Sequence, residues 1–177
     1  MILFLLPGQV VGAAEEVPAK FAGGSGTADD PYLIASAQQL ARVNDYLSAH
    51  FKLIADIDLN VAPYNTGQGW KPIGSGDEPF AGSFDGNGRT IRGLYINRPA
   101  EDDIGLFAAL GEDATLRGIR LEDVRVKGKD RVGGLVGCNN WGEIENCYAS
   151  GSMAGASSVG GLVGENSGDI ANSSSAC

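Results

Sequence analysis

Asp56 and Asp58 are the first residues in this 177-residue chain whose type and spacing could do chemistry. Two neighbouring carboxylates can act as the acid and the base, or as the acid and the nucleophile, that cleave a glycosidic bond. However, repeated segments described below have Gly or Asn where this one has Asp56, and those residue types favour a backbone bend. The sequence therefore favours a structural role for Asp56 and a solvent-facing Asp58.

Two further motifs could carry chemistry. Asp85 to Gly88 reads Asp-Gly-Asn-Gly, like the start of a calcium-binding loop, but Arg89 occupies the next ligand position and no Glu closes the loop. A glycine-rich turn is the favoured interpretation. His50 is the single histidine and has no Ser or Cys motif that would make it part of a triad. We therefore assign no catalytic residue, no metal site and no cofactor.

The charge balance and the hydropathy pattern limit the partners. With 13 basic and 22 acidic residues the net charge is −9, which disfavours nucleic acid. No apolar stretch reaches the roughly 18 to 20 residues that a membrane-spanning helix needs. The apolar run Met1 to Leu6 and the small residues Gly12 to Ala14 predict a truncated signal peptide over residues 1–14, with an apolar first strand as the alternative. We expect a secreted or cell-surface protein.

A repeat indicates the architecture that positions these residues. Val132 to Gly137 reads Val-Gly-Gly-Leu-Val-Gly and recurs as Val159 to Gly164, an offset of 27 residues. A fixed period of this size is typical of solenoids, in which each repeat buries its apolar side chains against its neighbours.

Further copies of the repeat align upstream. We expect their apolar or small positions, such as Ile54, Ile91 and Cys147, to point inward. These positions are spaced by three and then two residues, which fits two short strands joined by a bend. The aligned segments are 53–59, 90–96, 115–121, 143–149 and 169–175. The predicted bend residues are Asp56, Gly93, Gly118, Asn146 and Asn172. Together they predict an all-β parallel β-helix of about five coils over residues 51–177.

The N-terminal part has a different pattern. Ser36 and Gln39 form a capping box, and Leu40, Val43 and Leu47 follow at helical spacing. We predict one short α-helix over about 36–49 that covers the open end of the first coil, within an N-terminal cap of residues 15–50. Because Cys177 falls inside the fifth coil without a polar cap, we expect an incomplete set of coils from a longer polypeptide.

One outward column of the alignment could form a binding surface. It contains Tyr95, Arg120 and Tyr148, which we expect on three successive coils, with the guanidinium between the two rings. Such an arrangement could stack on a sugar or bind a carboxylate. The alternative is that Tyr and Arg pack on each other on a solvated face.

Several spaced motifs together resemble those of bacterial secreted proteins that carry GLUG motifs. They are Gly26 to Ile34, Ala55 to Leu59, Trp70 to Gly74, Phe80 to Gly88 and the two Val-Gly-Gly-Leu-Val-Gly copies. The resemblance implies a right-handed, pectin-lyase-like parallel β-helix in large exported or surface proteins, often non-catalytic. Related repeats accompany the metallopeptidase domain of immunoglobulin-A-cleaving proteases, whose His-Glu-x-x-His motif is missing from this chain.

Three functions stay open at this level. The first is a non-catalytic extracellular module that acts as an adhesin, a stalk or a carbohydrate-contacting surface, with glycans or a host or cell-surface protein as partner. The second is a polysaccharide lyase or glycosidase whose carboxylates lie in the connections, at Asp77, Glu78, Asp102 and Asp103. The third is a spacer beside a metallopeptidase domain that this chain lacks.

Overall fold

The computed structural model describes residues 20–177, so the predicted signal peptide over 1–14 lies outside the described residues. Within these residues, one α-helix, one 3₁₀-helix and 17 strands follow each other. The helices are α1 (Ala37–Ala41) and the 3₁₀-helix Arg42–Asp45. The strands are β1 (Tyr32–Ile34), β2 (His50–Leu53), β3 (Ile57–Asp58), β4 (Ser83–Asp85), β5 (Thr90–Arg92), β6 (Tyr95–Asn97), β7 (Phe107–Leu110), β8 (Thr115–Arg117), β9 (Arg120–Lys127), β10 (Asp130–Val132), β11 (Val136–Asn139), β12 (Glu143–Glu145), β13 (Tyr148–Ala154), β14 (Ser157–Val159), β15 (Val163–Asn166), β16 (Asp169–Ala171) and β17 (Ser174–Ala176).

The strands form parallel sheets that run along a solenoid. Sheet A has the order β1-β2-β4-β8-β12-β16, and sheet B has the order β17-β13-β9-β5-β3 with β6 paired to β9. Sheet C contains β15, β11 and β7, and β10 pairs with β14. Every pair of named strands is parallel, which confirms the parallel β-solenoid. About three turns are complete rather than the five predicted, because β2 with β3, and β16 with β17, form only partial turns.

Apolar rows hold successive turns together. In sheet A, Phe51, Phe84, Leu116 and Ile144 are register partners and are all buried. In sheet B the buried row is Ile57, Ile91, Leu121 and Ala149. Each large apolar side chain in such a row contributes about 1.5–3 kcal/mol of hydrophobic stabilisation.

The upstream part of the predicted alignment is wrong. Thr90 pairs with Arg120 in sheet B, whereas Thr115 pairs with Ser83 in sheet A. Phe84 therefore occupies the buried position predicted for Ile91, and Ile54, predicted to point inward, is 39% exposed.

Four of the five predicted bend residues are confirmed. Gly118, Asn146 and Asn172 have positive φ angles of 60°, 53° and 50° and join sheet A to sheet B. Gly93 also has a positive φ, of 71°, but it bends the chain between two strands of sheet B. Asp56 is not left-handed; its Oδ1 instead accepts a hydrogen bond from Thr90 N on the next turn, at 3.0 Å.

The capping helix is shorter than predicted. Ser36 Oγ accepts the amide hydrogen of Gln39, and the helix buries Leu40, but α-helical geometry ends at Ala41 instead of residue 49. Beyond the 3₁₀-turn, Asn44 binds Pro72 O and Gly74 N through its side chain, and the chain must then turn to begin β2 at His50. Among residues 20–177, no helix is long and apolar enough to cross a membrane.

Candidate functional site

The outer face of sheet B carries a groove that follows a bend in the sheet. The bend passes through Gly93 and Asp123, both of which have positive φ angles. The groove has a volume of about 520 Å³, and a second depression of about 290 Å³ adjoins it. The two share Arg125 and Ser152 in their walls, so they form one continuous surface across several turns. We call this surface the sheet B groove.

The structure brings two of the three predicted binding residues together. Arg120 and Tyr148 are register partners on β9 and β13, and the Arg120 guanidinium lies 4.7 Å from the centre of the Tyr148 ring. Arg120 Nε also donates a hydrogen bond to Glu122 at 2.7 Å. An exposed cation–π pair of this kind contributes about 0.5–1 kcal/mol.

Tyr95, the third predicted residue, lies in another row. It is the register partner of Arg125, whose guanidinium lies 5.7 Å from the centre of the Tyr95 ring. The expected order of two rings flanking Arg120 is therefore wrong, and the face carries two separate Tyr–Arg pairs instead. Arg125 was not among the predicted binding residues, because its row depends on the bend at Asp123, which was not predicted.

Charge on this face differs from that on the rest of the molecule. Its outward side chains include four cations and three carboxylates, which give this face a net charge of +1. The net charge of the whole chain is −9, so the remaining residues carry −10. The outward charged residues are Arg92, Arg120, Arg125, Lys127, Asp58, Glu122 and Asp123. Among residues 20–177, Arg92, Arg125 and Lys127 have no carboxylate within 4.0 Å. Their donors are thus available to a ligand.

Carboxylates in the connections are neutralised by neighbouring cations. Asp102 pairs with Lys129 at 3.4 Å, and Asp103 accepts two hydrogen bonds from Arg131, one of them at 2.9 Å from Nη2. The bond to Asp103 raises the pKa of Arg131 above its ordinary value. Because cations hold both carboxylates, they do not form the free pair that glycoside cleavage uses.

The other two predicted acidic residues, Asp77 and Glu78, do not line the same depression as Asp102 and Asp103. Asp77 and Glu78 are exposed and lie outside the depression of about 200 Å³ that Asp102 and Asp103 line.

Within residues 20–177, no group of three potential metal ligands occurs. Asp85 accepts the amide hydrogen of Asn87, which has a φ of 50°, so the predicted calcium-like motif forms a turn.

His50 does have a serine neighbour, which the sequence analysis did not expect. Its Nδ1 lies 2.7 Å from Ser83 Oγ across two strands of sheet A. The two residues are register partners 33 positions apart, so no local motif could indicate the contact.

The two tryptophans differ. Trp70 is buried, and its Nε1 donates to Leu106 O at 3.3 Å, so it packs in the core. Trp141 is 71% exposed and has a φ of 70°.

The comparisons with known proteins agree with the repeat seen in the structure. Residues 130–152 match the model of the GLUG motif. The chain is 40% identical over 161 residues to "Halomucin" of Haloquadratum walsbyi, covering 86% of this chain and 2% of that protein. It is 42% identical over 130 residues to a "Putative Gly-rich membrane protein" of Evansella cellulosilytica, covering 71% of this chain and 15% of that protein. The predicted resemblance to GLUG-motif proteins is thereby confirmed.

Two further similarities concern immunoglobulin A1 proteases. The chain is 29% identical over 122 residues to the "Immunoglobulin A1 protease" of Streptococcus sanguinis, covering 68% of this chain and 6% of that protein. The crystal structure of a putative immunoglobulin A1 protease from Bacteroides ovatus superposes with a TM-score of 0.44 and 20% identity, covering 88% of this chain and 70% of that one. The chain thus spans between 2% and 15% of the length of these curated relatives.

Proposed function

We propose that this chain is a non-catalytic β-solenoid module of a secreted or cell-surface protein, and that its sheet B groove contacts carbohydrate. The observation that carries the proposal is the continuous groove, in which Tyr95 and Arg125 form a cation–π pair. The relatives, which include a halomucin and a membrane protein, support a location at the cell surface.

The chemistry of the groove suits a sugar chain. Sugar rings present apolar C–H faces that pack on aromatic rings and hydroxyls that accept hydrogen bonds from guanidinium groups. Arg92 and Arg125 supply such donors, and Asp58 and Asp123 supply acceptors. Because these residues stand on or beside paired strands, the solenoid fixes their spacing before a ligand arrives.

A direct test is binding of the purified chain to an array of glycans. The variant Tyr95→Ala/Arg125→Gln should lose about tenfold in affinity, since it removes both members of the cation–π pair. Arg89→Gln is the matched control, because Arg89 is also exposed but lines neither part of the groove. Equal binding by the double variant and the control, or no binding by the parent chain, would count against the proposal.

A second role is favoured by one comparison. The similarity to the Streptococcus sanguinis protein supports a spacer next to a catalytic domain. Sequencing the complete reading frame tests it: an adjoining His-Glu-x-x-His domain would support the spacer role, and a frame without one would oppose it.

A further inference from the structure

The outer face of sheet A carries a second groove, separate from the sheet B groove. It has a volume of about 440 Å³, and Ala28 and Pro31 line one side. Its floor consists of six polar side chains from β2, β4 and β8: His50, Lys52, Ser83, Asp85, Thr115 and Arg117. We call this surface the sheet A groove.

The parallel register arranges the floor as two rows. His50, Ser83 and Thr115 are register partners and form a hydroxyl-rich row, while Lys52, Asp85 and Arg117 form a charged row. Neighbours within a row are about 4.8 Å apart, and the rows are about 6.6 Å apart, since they lie two residues apart along each strand. The residues between the rows are buried in the core, so the floor is rigid.

The hydroxyl-rich row has unused hydrogen-bonding capacity. Only one contact joins its members, the 2.7 Å hydrogen bond between His50 Nδ1 and Ser83 Oγ. Within residues 20–177, neither the second imidazole nitrogen of His50 nor the hydroxyl of Thr115 has a hydrogen-bond partner. These groups can donate to and accept from the hydroxyls of a bound molecule.

The charged row has one more cation than it has carboxylates. Asp85 Oδ2 lies 3.2 Å from Arg117 Nη2 and 3.9 Å from Lys52 Nζ, while its Oδ1 accepts the amide hydrogen of Asn87. One carboxylate oxygen is therefore shared by two cations, and the side chains of Lys52 and Arg117 stay 38% and 62% exposed. The six floor residues therefore carry a formal charge of +1 with His50 neutral, in a chain of net charge −9.

Acidic residues limit the groove on its far side. Glu143 and Glu145 of β12 are the register partners of Thr115 and Arg117. Neither forms an ion pair within 4.0 Å among residues 20–177. They repel an anionic group placed beyond β8. The floor spans only three strands, about 10 Å, which matches about one sugar ring.

We propose that the sheet A groove binds a single sugar residue that carries one carboxylate or sulfate group. The ring hydroxyls bind the His50, Ser83 and Thr115 row, and the anionic group contacts the more exposed ends of Lys52 and Arg117, on the solvent side of Asp85. This inference does not rest on the sheet B groove, which it leaves free for a longer carbohydrate.

The site can be mapped by two-dimensional ¹H–¹⁵N NMR of the chain titrated with glucuronate, glucose 6-sulfate and glucose. Glucuronate or glucose 6-sulfate should shift the amide signals of Ser83, Thr115 and Arg117, and whichever shifts them at lower concentration identifies the preferred anionic group. Glucose should leave them unchanged at the same concentrations. Equal shifts with glucose, or shifts confined to sheet B, would overturn the proposal.

Two arginine variants provide a matched comparison. Arg117 and Arg120 have similarly exposed side chains, at 62% and 52%, and each pairs with one carboxylate. Arg117→Gln should raise the Kd of the preferred anionic probe about tenfold, because a charge-assisted contact is lost, and Arg120→Gln should not change it. An unchanged Kd for Arg117→Gln, or an equal loss in both variants, would refute the site. The glycan-array test changes Tyr95 and Arg125 of the sheet B groove, whereas this test changes Arg117 of the sheet A groove. Each proposal can therefore fail while the other holds.

Discussion

Asn139 Nδ2 donates a hydrogen bond to Asn166 Oδ1, 27 residues later in the chain, at 2.7 Å. The two are register partners on β11 and β15, at the corner where each turn leaves sheet C for sheet A. Asn139 is fully buried and also bonds both the amide and the carbonyl of Gly142. One side chain thus closes its own turn and links it to the next, which explains why a polar residue is stable inside this stack.

Replacing Asn139 with Ala should lower the free energy of unfolding by about 2–4 kcal/mol, since it leaves buried polar groups of Gly142 without partners. Urea unfolding followed by circular dichroism measures the change. Asn166→Ala is the control and should cost only about 1 kcal/mol, because Asn166 is exposed. Equal losses in the two variants would contradict the importance of burial at this corner.

The left-handed bends make a second prediction. Gly118 and Asn146 hold the same corner in successive turns, with φ angles of 60° and 53°. Asn146→Gly should therefore leave stability within about 0.5 kcal/mol, whereas Asn146→Val should destabilise by about 1–3 kcal/mol, because a β-branched residue strains at positive φ. Thermal unfolding of both variants checks this, and a Val variant as stable as the Gly variant would contradict it.

Glycines of the repeated Val-Gly-Gly-Leu-Val-Gly segment are required by close backbone packing. A Cβ added to Gly137 would lie 2.5 Å from Ile104 N, and one added to Gly164 would lie 2.5 Å from Val132 N. Gly137→Ala should thus cost at least about 3 kcal/mol or prevent folding. Gly67→Ala should cost only about 1 kcal/mol, because its positive φ is strained but nothing lies within 4 Å of the added carbon. Similar unfolding midpoints for the two variants would disprove this explanation of the repeat.

The repeat predicted the fold class because it reflects stacking directly. Val132 and Val159, the first residues of the two copies, are register partners on β10 and β14. Downstream, Leu116, Ile144 and Ile170 also align as the sequence predicted. Where successive turns have nearly equal length, residues that align between repeats in the sequence are also register partners in the sheets.

Upstream, unequal turns defeated the alignment. From the register pairs of sheet A, Ser83 to Thr115 spans 32 residues, Thr115 to Glu143 spans 28, and Glu143 to Asp169 spans 26. The turn of 32 residues contains the additional strand β6. A single repeat period could not locate such an insertion.

The residue types around Gly93 also indicated the wrong corner of the solenoid. Gly93 and Gly118 each follow a Thr-x-Arg segment, and each is left-handed between two short strands. The first nevertheless lies within sheet B and the second between sheets A and B, because strand pairing, not local sequence, decides the corner. Because of this error, the alignment placed Tyr95 in the row of Arg120. Neither Arg125 nor the groove beside it was predicted.

Cys147 makes the last prediction, which concerns pH. Its thiol is buried in the inward position predicted for it, and burial raises its pKa to about 11 from an ordinary value near 9. The folded chain therefore keeps this proton at pH values where the unfolded chain loses it. Stability from the neutral buried thiol is complete below about pH 9 and should fall by about 2–3 kcal/mol as the pH rises to about 11.

Comparing the unfolding free energies of the parent chain and Cys147→Ala from pH 8 to pH 11 isolates this contribution, since all other titrating groups are common to both. The difference between them should shrink or reverse at high pH, because only the parent chain has this thiol to ionise when it unfolds. Ala is a suitable replacement since Ala149 already packs in the core two residues later. A difference that stays constant across the range would show that Cys147 ionises as easily in the folded chain as in the unfolded one.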